Sequence, residues 1–165
     1  MTSDITSAHK RMTLLWFVVL STPMLIGIAV VLMVIVGGYT APAILIPEDQ
    51  LRMGSLGAMA LMLLCARPLR NWLLSPAAIA ARPVQGLSPN EDENANAAGK
   101  VQASMFLLLG ILDAVSMIVV ALSLMQADMQ LAVLNGIYTL VLAIIAKPDF
   151  AELIKAVRQQ LSRSA

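Results

Sequence analysis

Two long stretches that are almost free of charge constrain the fold of this chain more than any other feature. The first runs from Met12 to Val36, and the second runs from Val101 to Met125 with Asp113 as its single charged residue. About 20 consecutive apolar residues let a helix cross the hydrocarbon of a bilayer. Only 13% of all residues are charged, whereas a typical soluble domain has about 25%. The sequence therefore predicts an all-α, polytopic membrane protein.

Two shorter apolar stretches complete the predicted membrane domain. They run from about Glu48 to Ala66 and from Gln130 to Ala146, and each is followed by a basic residue and a proline. Proline ends helices because it lacks an amide hydrogen and its ring clashes with the preceding turn. We therefore predict four transmembrane helices, arranged as two hairpins at residues 12–76 and 101–148.

The segment between the hairpins, residues 77–100, is predicted to be a cytoplasmic loop followed by the start of the third helix. Ser88 and Glu91 have the spacing of a capping box, with Pro89 at the first helical position. This pattern predicts that the third helix begins in water and enters the membrane near Val101.

The lysines and arginines are distributed so unevenly that they predict the orientation in the membrane. Only Arg52 falls on one side of the four predicted helices, and loops rich in lysine and arginine face the cytoplasm. We therefore expect both chain ends, including the tail at residues 1–11, on the cytoplasmic side of a bacterial inner (plasma) membrane. Trp16 and Trp72 lie near that interface, as in an aromatic belt. The basic residues on the cytoplasmic side are Lys10, Arg11, Arg67, Arg70, Arg82, Lys100, Lys147, Lys155, Arg158 and Arg163.

The last segment, residues 149–165, has the pattern of an amphipathic helix. Its apolar residues recur at helical spacing, with an acidic residue in the first turn and basic residues in the last. We expect this helix to lie on the cytoplasmic surface of the membrane; the alternative is a helix packed on a partner protein. The apolar residues are Phe150, Leu153, Ile154, Val157 and Leu161.

The two predicted hairpins match each other at an offset of 80 residues. Gln50-Leu51 aligns with Gln130-Leu131, and Ala66-Arg67-Pro68 aligns with Ala146-Lys147-Pro148. If the hairpins are duplicated, they are parallel repeats about an axis along the membrane normal. Because apolar segments also match by chance, the sequence leaves the duplication open.

Asp113 is the candidate functional residue, because it lies in the middle of the third predicted helix. An ionised carboxylate at that depth costs about 2.5–3.5 kcal/mol on insertion scales, so such residues normally face protein. Gly110 and Ser116 share its helix face at a spacing of three residues. The site is predicted to be an interhelical polar contact or an ion-binding site, with Ser21 and Thr22 of the first helix as further candidate partners.

The segment Gly110-Ile-Leu-Asp113-Ala114 resembles the carboxylate-bearing helix of ATP synthase subunit c. In that family a glycine lies three residues before the ion-carrying carboxylate, and an alanine follows it. Ala98-Gly99-Lys100-Val101 resembles the exit from the polar loop of the same family, so the similarity covers residues 98–125. The resemblance implies that Asp113 would carry protons or sodium in an oligomeric ring.

The remaining sequence indicates a protein without catalysis. It has no glycine-rich phosphate loop, nucleophile elbow or metal-binding helix motif, and no predicted extramembrane segment is long enough for a catalytic domain. We therefore expect no enzyme activity, cofactor, metal site or nucleic-acid partner. Beyond the bilayer, the expected partners are other membrane subunits and further copies of the chain.

The leading functional prediction is a non-catalytic inner-membrane subunit of a multi-subunit assembly. At the level of class, the chain is similar to the small polytopic subunits of type IV secretion and conjugation machines. Two alternatives stay open: an ion-translocating, c-like ring subunit that uses Asp113, and a small transporter.

Overall fold

The computed structural model describes residues 2–41, 46–83 and 93–164, and these ranges contain six helices and no strand. The all-α prediction is therefore confirmed for the described part of the chain. The helices are α1 (Thr2–Ile35), α2 (Glu48–Leu73), α3 (Pro76–Ala81), α4 (Glu93–Gln126), α5 (Met129–Ile145) and α6 (Phe150–Ser164).

Two of the described helices are long and apolar enough to cross a membrane: Ser7–Ile35 of α1 and Ala95–Gln126 of α4. The number rises to three if α5 and α6, which meet at a bend of 50°, form one span. At 1.5 Å per residue, the 17 residues of α5 cover about 25 Å, which is short of the roughly 30 Å of hydrocarbon. In α2 the uncharged stretch between Arg52 and Arg67 is shorter still. These lengths support a membrane protein with two or three spans, and four crossings remain a proposal.

The packing places α4 and α5 at the centre, with α1 and α2 on opposite sides of them. Both outer helices contact α4 and α5, and among the described residues α1 and α2 do not contact each other. The two helices of the first predicted hairpin, α1 and α2, are thus connected through the helices of the second hairpin, α4 and α5. Whether the hairpins are duplicated stays a prediction.

Helices α1 and α5 run antiparallel, and two glycines let their backbones approach closely. A Cβ on Gly27 would lie 2.7 Å from the carbonyl oxygen of Ala132, and a Cβ on Gly136 would lie 3.0 Å from the Cα of Met24. Small residues at such crossings allow the close van der Waals contact that drives helix association in membranes. Neither glycine belonged to the predicted polar site.

We predict that Gly27→Ala destabilises the bundle by about 1–3 kcal/mol, because the added methyl overpacks a backbone contact. The control is Gly110→Ala, whose Cβ would meet nothing within 4 Å and which gains up to about 1 kcal/mol of helix propensity. Unfolding in mixed micelles, followed by circular dichroism during titration with dodecyl sulfate, measures both variants. Equal stability of the two variants would contradict the close approach.

Trp16 connects α1 to α5 and α6 at the other end of this interface. Its Nε1 donates a hydrogen bond of 2.9 Å to the carbonyl oxygen of Ala143, one of the last carbonyls of α5, which lack partners within the helix. The indole also meets the ring of Phe150 edge-on, at 6.2 Å between centroids. Trp16 is fully buried and Trp72 is 72% exposed, so the prediction of an interfacial belt is wrong for Trp16.

We predict that Trp16→Phe costs about 1–3 kcal/mol of stability, because the carbonyl of Ala143 then stays buried without a donor. Trp72→Phe serves as the control and should change stability by less than about 0.5 kcal/mol, as exposed substitutions usually do. The same micelle titration, read by the fluorescence of the remaining tryptophan, compares them. A loss in Trp72→Phe as large as in Trp16→Phe would argue against the role of the indole N–H.

Several helix ends differ from the predicted ones, and each difference has a local cause. α1 already begins at Thr2, so the predicted tail at residues 1–11 is largely helical. α2 continues through Pro68 to Leu73, because Leu73 and Leu74 bury their side chains beyond the proline. The capping box predicted at Ser88 lies outside the described residues.

The segment after α2 was predicted to be a loop, but it contains the short helix α3. Ser75 caps α3, accepting a hydrogen bond from the amide of Ala78 at 3.4 Å, and Ile79 is fully buried. Lys100 donates to the carbonyl oxygens of Ala80 and Arg82 at 2.8 and 2.9 Å. Lys100 therefore provides hydrogen bonds to carbonyls at the end of α3, in addition to any role in orienting the protein in the membrane.

The apolar side of α6 packs inside the protein. Phe150, Ile154 and Val157 are buried, and α6 contacts α1, α3 and α4. The expectation that this face rests on the membrane surface is therefore corrected, because this chain itself covers it. The bend after α5 turns the helix towards α4.

Candidate functional site

Asp113 lies midway along α4, at the boundary between its packed and its uncovered side. Leu109, Leu112 and Ser116 on one side of it are buried, whereas Gly110 and Met117 on the other are exposed. The carboxylate itself is partly buried. Its Oδ1 is enclosed and has no hydrogen-bond partner among the described residues.

Ser116, predicted to belong to the site, is bonded to a residue that the sequence analysis had not included. The amide nitrogen Nδ2 of Asn135 donates to the Oγ of Ser116 at 3.0 Å and to its carbonyl oxygen at 3.2 Å. Both residues are fully buried between α4 and α5, while Oδ1 of Asn135 has no hydrogen-bond partner in the described ranges. A polar contact between helices is thus present one turn from Asp113. In the sequence, the only sign of this contact was Asn135 itself, a polar residue in the middle of the apolar helix α5.

Ser21 and Thr22 of α1, the further candidate partners of Asp113, have hydroxyls that are engaged elsewhere. Both donate to the carbonyl oxygen of Val18, at 3.2 and 2.8 Å. Each hydroxyl therefore satisfies itself within its own helix. The structure brings neither of them into a hydrogen bond with Asp113.

Gly110 lies on the uncovered side of α4, where a Cβ would meet no atom within 4 Å. No close packing within the chain explains this glycine, in contrast to Gly27 and Gly136. Of the predicted site residues, the structure therefore places Ser116 on the packed side, Gly110 on the open side, and Asp113 at the edge between them.

Tyr138 of α5 is a second residue that the sequence analysis missed. Its side chain is buried, and its hydroxyl has no hydrogen-bond partner among the described residues. It lies within electrostatic range of the Asp113 carboxylate. Asp113, Asn135 and Tyr138 thus place three enclosed polar atoms without a partner among the described residues in the middle of α4 and α5. Native proteins keep few such groups without a reason.

A different polar contact lies at the end of the bundle that is far from Trp16. Arg52 of α2 donates to both carboxylate oxygens of Asp128, from Nε at 2.9 Å and from Nη2 at 3.0 Å. Asp128 also caps α5 by accepting a hydrogen bond from the amide of Leu131. Glu48, one turn before Arg52, forms a second and more exposed ion pair with it. Arg52, the single lysine or arginine at this end of the bundle, is therefore paired.

The backbone of the α4–α5 turn holds Asp128 in place for this contact. The amide of Asp128 donates to the carbonyl of Ser123, and the amide of Ala127 donates to that of Leu124. This is the Schellman arrangement that ends helices, and it requires a left-handed residue. Ala127 has that conformation, with φ of 53°, although glycine is the usual residue.

The ion pair also sets the protonation of Asp128, which lies outside the membrane spans. Burial alone would raise the pKa of its carboxyl, but the hydrogen bonds from Arg52 and from the Leu131 amide outweigh burial and hold the pKa below its usual value. A carboxyl with a lowered pKa in the folded state stabilises the fold wherever it is ionised.

We predict that Asp128→Asn costs about 1.5–3 kcal/mol near neutral pH, the range for hydrogen bonds to charged groups. Asparagine still caps helices well, so the change isolates the ion pair. The contribution is complete above the unfolded pKa of about 3.9 and is lost as the pH falls through the lower folded value. Micelle unfolding at several pH values should show the gap to wild type narrowing below about pH 4.

The matched control is Glu48→Gln, which removes the more exposed partner of Arg52 and leaves the bond to Asp128. It should change stability by less than about 1 kcal/mol, as exposed ion pairs do. If Glu48→Gln were as damaging as Asp128→Asn, the stabilisation would come from the local charge and not from the buried pair.

Within the described ranges, no three histidine, cysteine, aspartate or glutamate side chains come together as metal ligands. Comparisons with family models, with curated proteins and with solved structures find no match to this chain.

Proposed function

We propose that this protein is a non-catalytic, integral subunit of a larger membrane assembly in a bacterial inner membrane. The observation that carries the proposal is the position of Asp113 at the edge of an uncovered side of α4. A carboxylate exposed to lipid at this depth costs about 2.5–3.5 kcal/mol. A second polypeptide over this side of α4 would remove that cost, and the isolated chain does not.

Four crossings with both ends in the cytoplasm are part of the same proposal. If α1 and α4 span the membrane, the helices packed antiparallel against them lie at the same depth. Trp16–Ala143 and Gly27–Ala132 align α5 with α1, and Arg52–Asp128 and Arg70–Lys147 fix the two ends of α2. Ten of the eleven lysines and arginines collect at one end, which the positive-inside rule assigns to the cytoplasm.

A subunit of a type IV secretion or conjugation machine is the version we favour. The support is the plan of the chain: a small helical bundle whose described extramembrane helices, α3 and α6, pack back onto it. Such a bundle is better suited to contacting other subunits of an assembly than to catalysing a reaction. The support remains at the level of class.

Ion translocation by a c-like ring is the second candidate, and one observation favours it. Asp113 lies at the edge of the uncovered side of α4 and is only partly buried, and a carrier residue must be reachable from outside its own subunit. The small-transporter alternative has no comparable support, because the polar atoms found near Asp113 are enclosed in helix packing.

We predict that the protein extracted from its native membrane in mild detergent migrates in a complex much larger than its own 17.6 kDa. Native gel electrophoresis with an antibody against the chain measures this. Because asparagine can still form hydrogen bonds with a covering subunit, Asp113→Asn should leave the complex intact. A monomeric native protein would contradict the proposal.

The same preparation separates the two candidates. Hydrophobic carbodiimides react with protonated carboxyl groups, so an ion carrier should be labelled at Asp113, and sodium or raised pH should block the labelling. Loss of function in Asp113→Asn with the complex intact would favour the carrier. Retained function in that variant would exclude it.

A further inference from the structure

The uncovered side of α4 has the spacing of a helix-packing surface. Leu107, Gly110, Ala114, Met117 and Ala121 follow one another at intervals of three and four residues, and all five are exposed. We call these residues the α4 seam. Intervals of three and four keep side chains on one stripe of a helix, and glycine and alanine let a second backbone approach closely.

Asp113 gives this seam a chemical preference. It lies beside Gly110 and Met117 at the edge of the seam, and part of its side chain is left uncovered by the described residues. Inside a membrane, ionisable side chains pair with one another or with other polar groups. A helix that covers the seam therefore gains most if it brings a hydrogen-bond donor or a positive charge to this depth.

This chain has no positive charge to offer at that depth. Its lysines and arginines lie towards the two ends of the bundle, and Lys100 is 13 residues before Asp113 on α4, which is about 20 Å along the helix. A second copy with the same orientation would bring its own Asp113 to the same level. Two carboxylates at one site repel each other when both are ionised. The charges therefore favour a different protein as the partner.

We infer that the α4 seam binds a transmembrane helix of another protein that carries a lysine or arginine near mid-membrane, opposite Asp113. The inference rests on the proposed function, since it names the kind of subunit that covers Asp113. A basic side chain at this position would pair with the carboxylate of Asp113 from the uncovered side of α4, and the small seam residues would admit its helix. Both charges would lose contact with lipid on binding.

A designed peptide tests the inference with the full-length protein. The peptide is a helix of about 20 leucines, long enough to span the bilayer, with one central lysine and an acceptor dye. The donor dye is attached to Cys65, the single and exposed cysteine. Energy transfer in phosphatidylcholine vesicles then measures association. The same peptide without lysine is the control.

We predict that the lysine peptide binds at least about tenfold more tightly than the all-leucine peptide, which corresponds to about 1.4 kcal/mol. Asp113→Leu should abolish this preference. Gly110→Leu should weaken both peptides, because it fills the seam. Gly57→Leu should leave binding unchanged, since Gly57 is also exposed with open space around it but lies on α2.

Three results would overturn the inference: equal binding of the two peptides, a lysine preference that persists in Asp113→Leu, and self-association through the seam. The last would appear as energy transfer between two labelled copies that Gly110→Leu removes, and would assign the seam to a second copy of this chain. Comparing the peptides on the wild-type protein needs no variant to fold. A large native complex without a lysine preference would contradict this inference alone and leave the proposed function standing.

Discussion

The hydrogen bond from the Trp16 indole to the carbonyl oxygen of Ala143 determines how three helices meet. In a bilayer no water is present to satisfy the last carbonyls of a helix, so each needs a donor from the protein. α5 ends where Pro148 prevents its continuation, and the indole supplies the donor for Ala143. Phe150 packs against the same indole. The bend between α5 and α6 is therefore fixed by a residue of α1.

At the opposite end of the bundle, a charged side chain satisfies the free backbone groups of the helix end. Asp128 caps α5 and binds Arg52 of α2, so one buried carboxylate both starts a helix and attaches another. Because α1 and α2 do not contact each other in the described chain, these two contacts place them separately on the α4–α5 pair. Removing either contact should loosen one outer helix and leave the other in place.

Sequence reasoning predicted the helical class, the end of α4 near Gln126, both ends of α5 to within a residue, and the position of Asp113 inside α4, because apolar length and single charges are local signals. It did not predict the path of α2 beyond Pro68 or the burial of Trp16, since both depend on packing between distant segments. The same limit explains why Asn135 and Tyr138 were missed. A polar residue in an apolar helix is visible in the sequence, but its partner depends on how the helices are rotated.

Three of the enclosed polar atoms that have no partner among the described residues belong to Asp113, Asn135 and Tyr138 in the middle of α4 and α5, and this group bears on function. The others belong to His9, Thr13, Asn96 and Gln126. Asn135 and Tyr138 are enclosed. A rearrangement of side chains within the chain could therefore relieve the free-energy cost of their unpaired atoms. Asp113 also has an enclosed oxygen, but it differs because the rest of its side chain lies at the edge of the exposed side of α4. On the proposed function, that part of the side chain is covered by a partner from outside this chain, either an ion or another helix. The exposed stripe of glycine and alanine beside it favours the helix, because an ion needs oxygen ligands and a helix needs room.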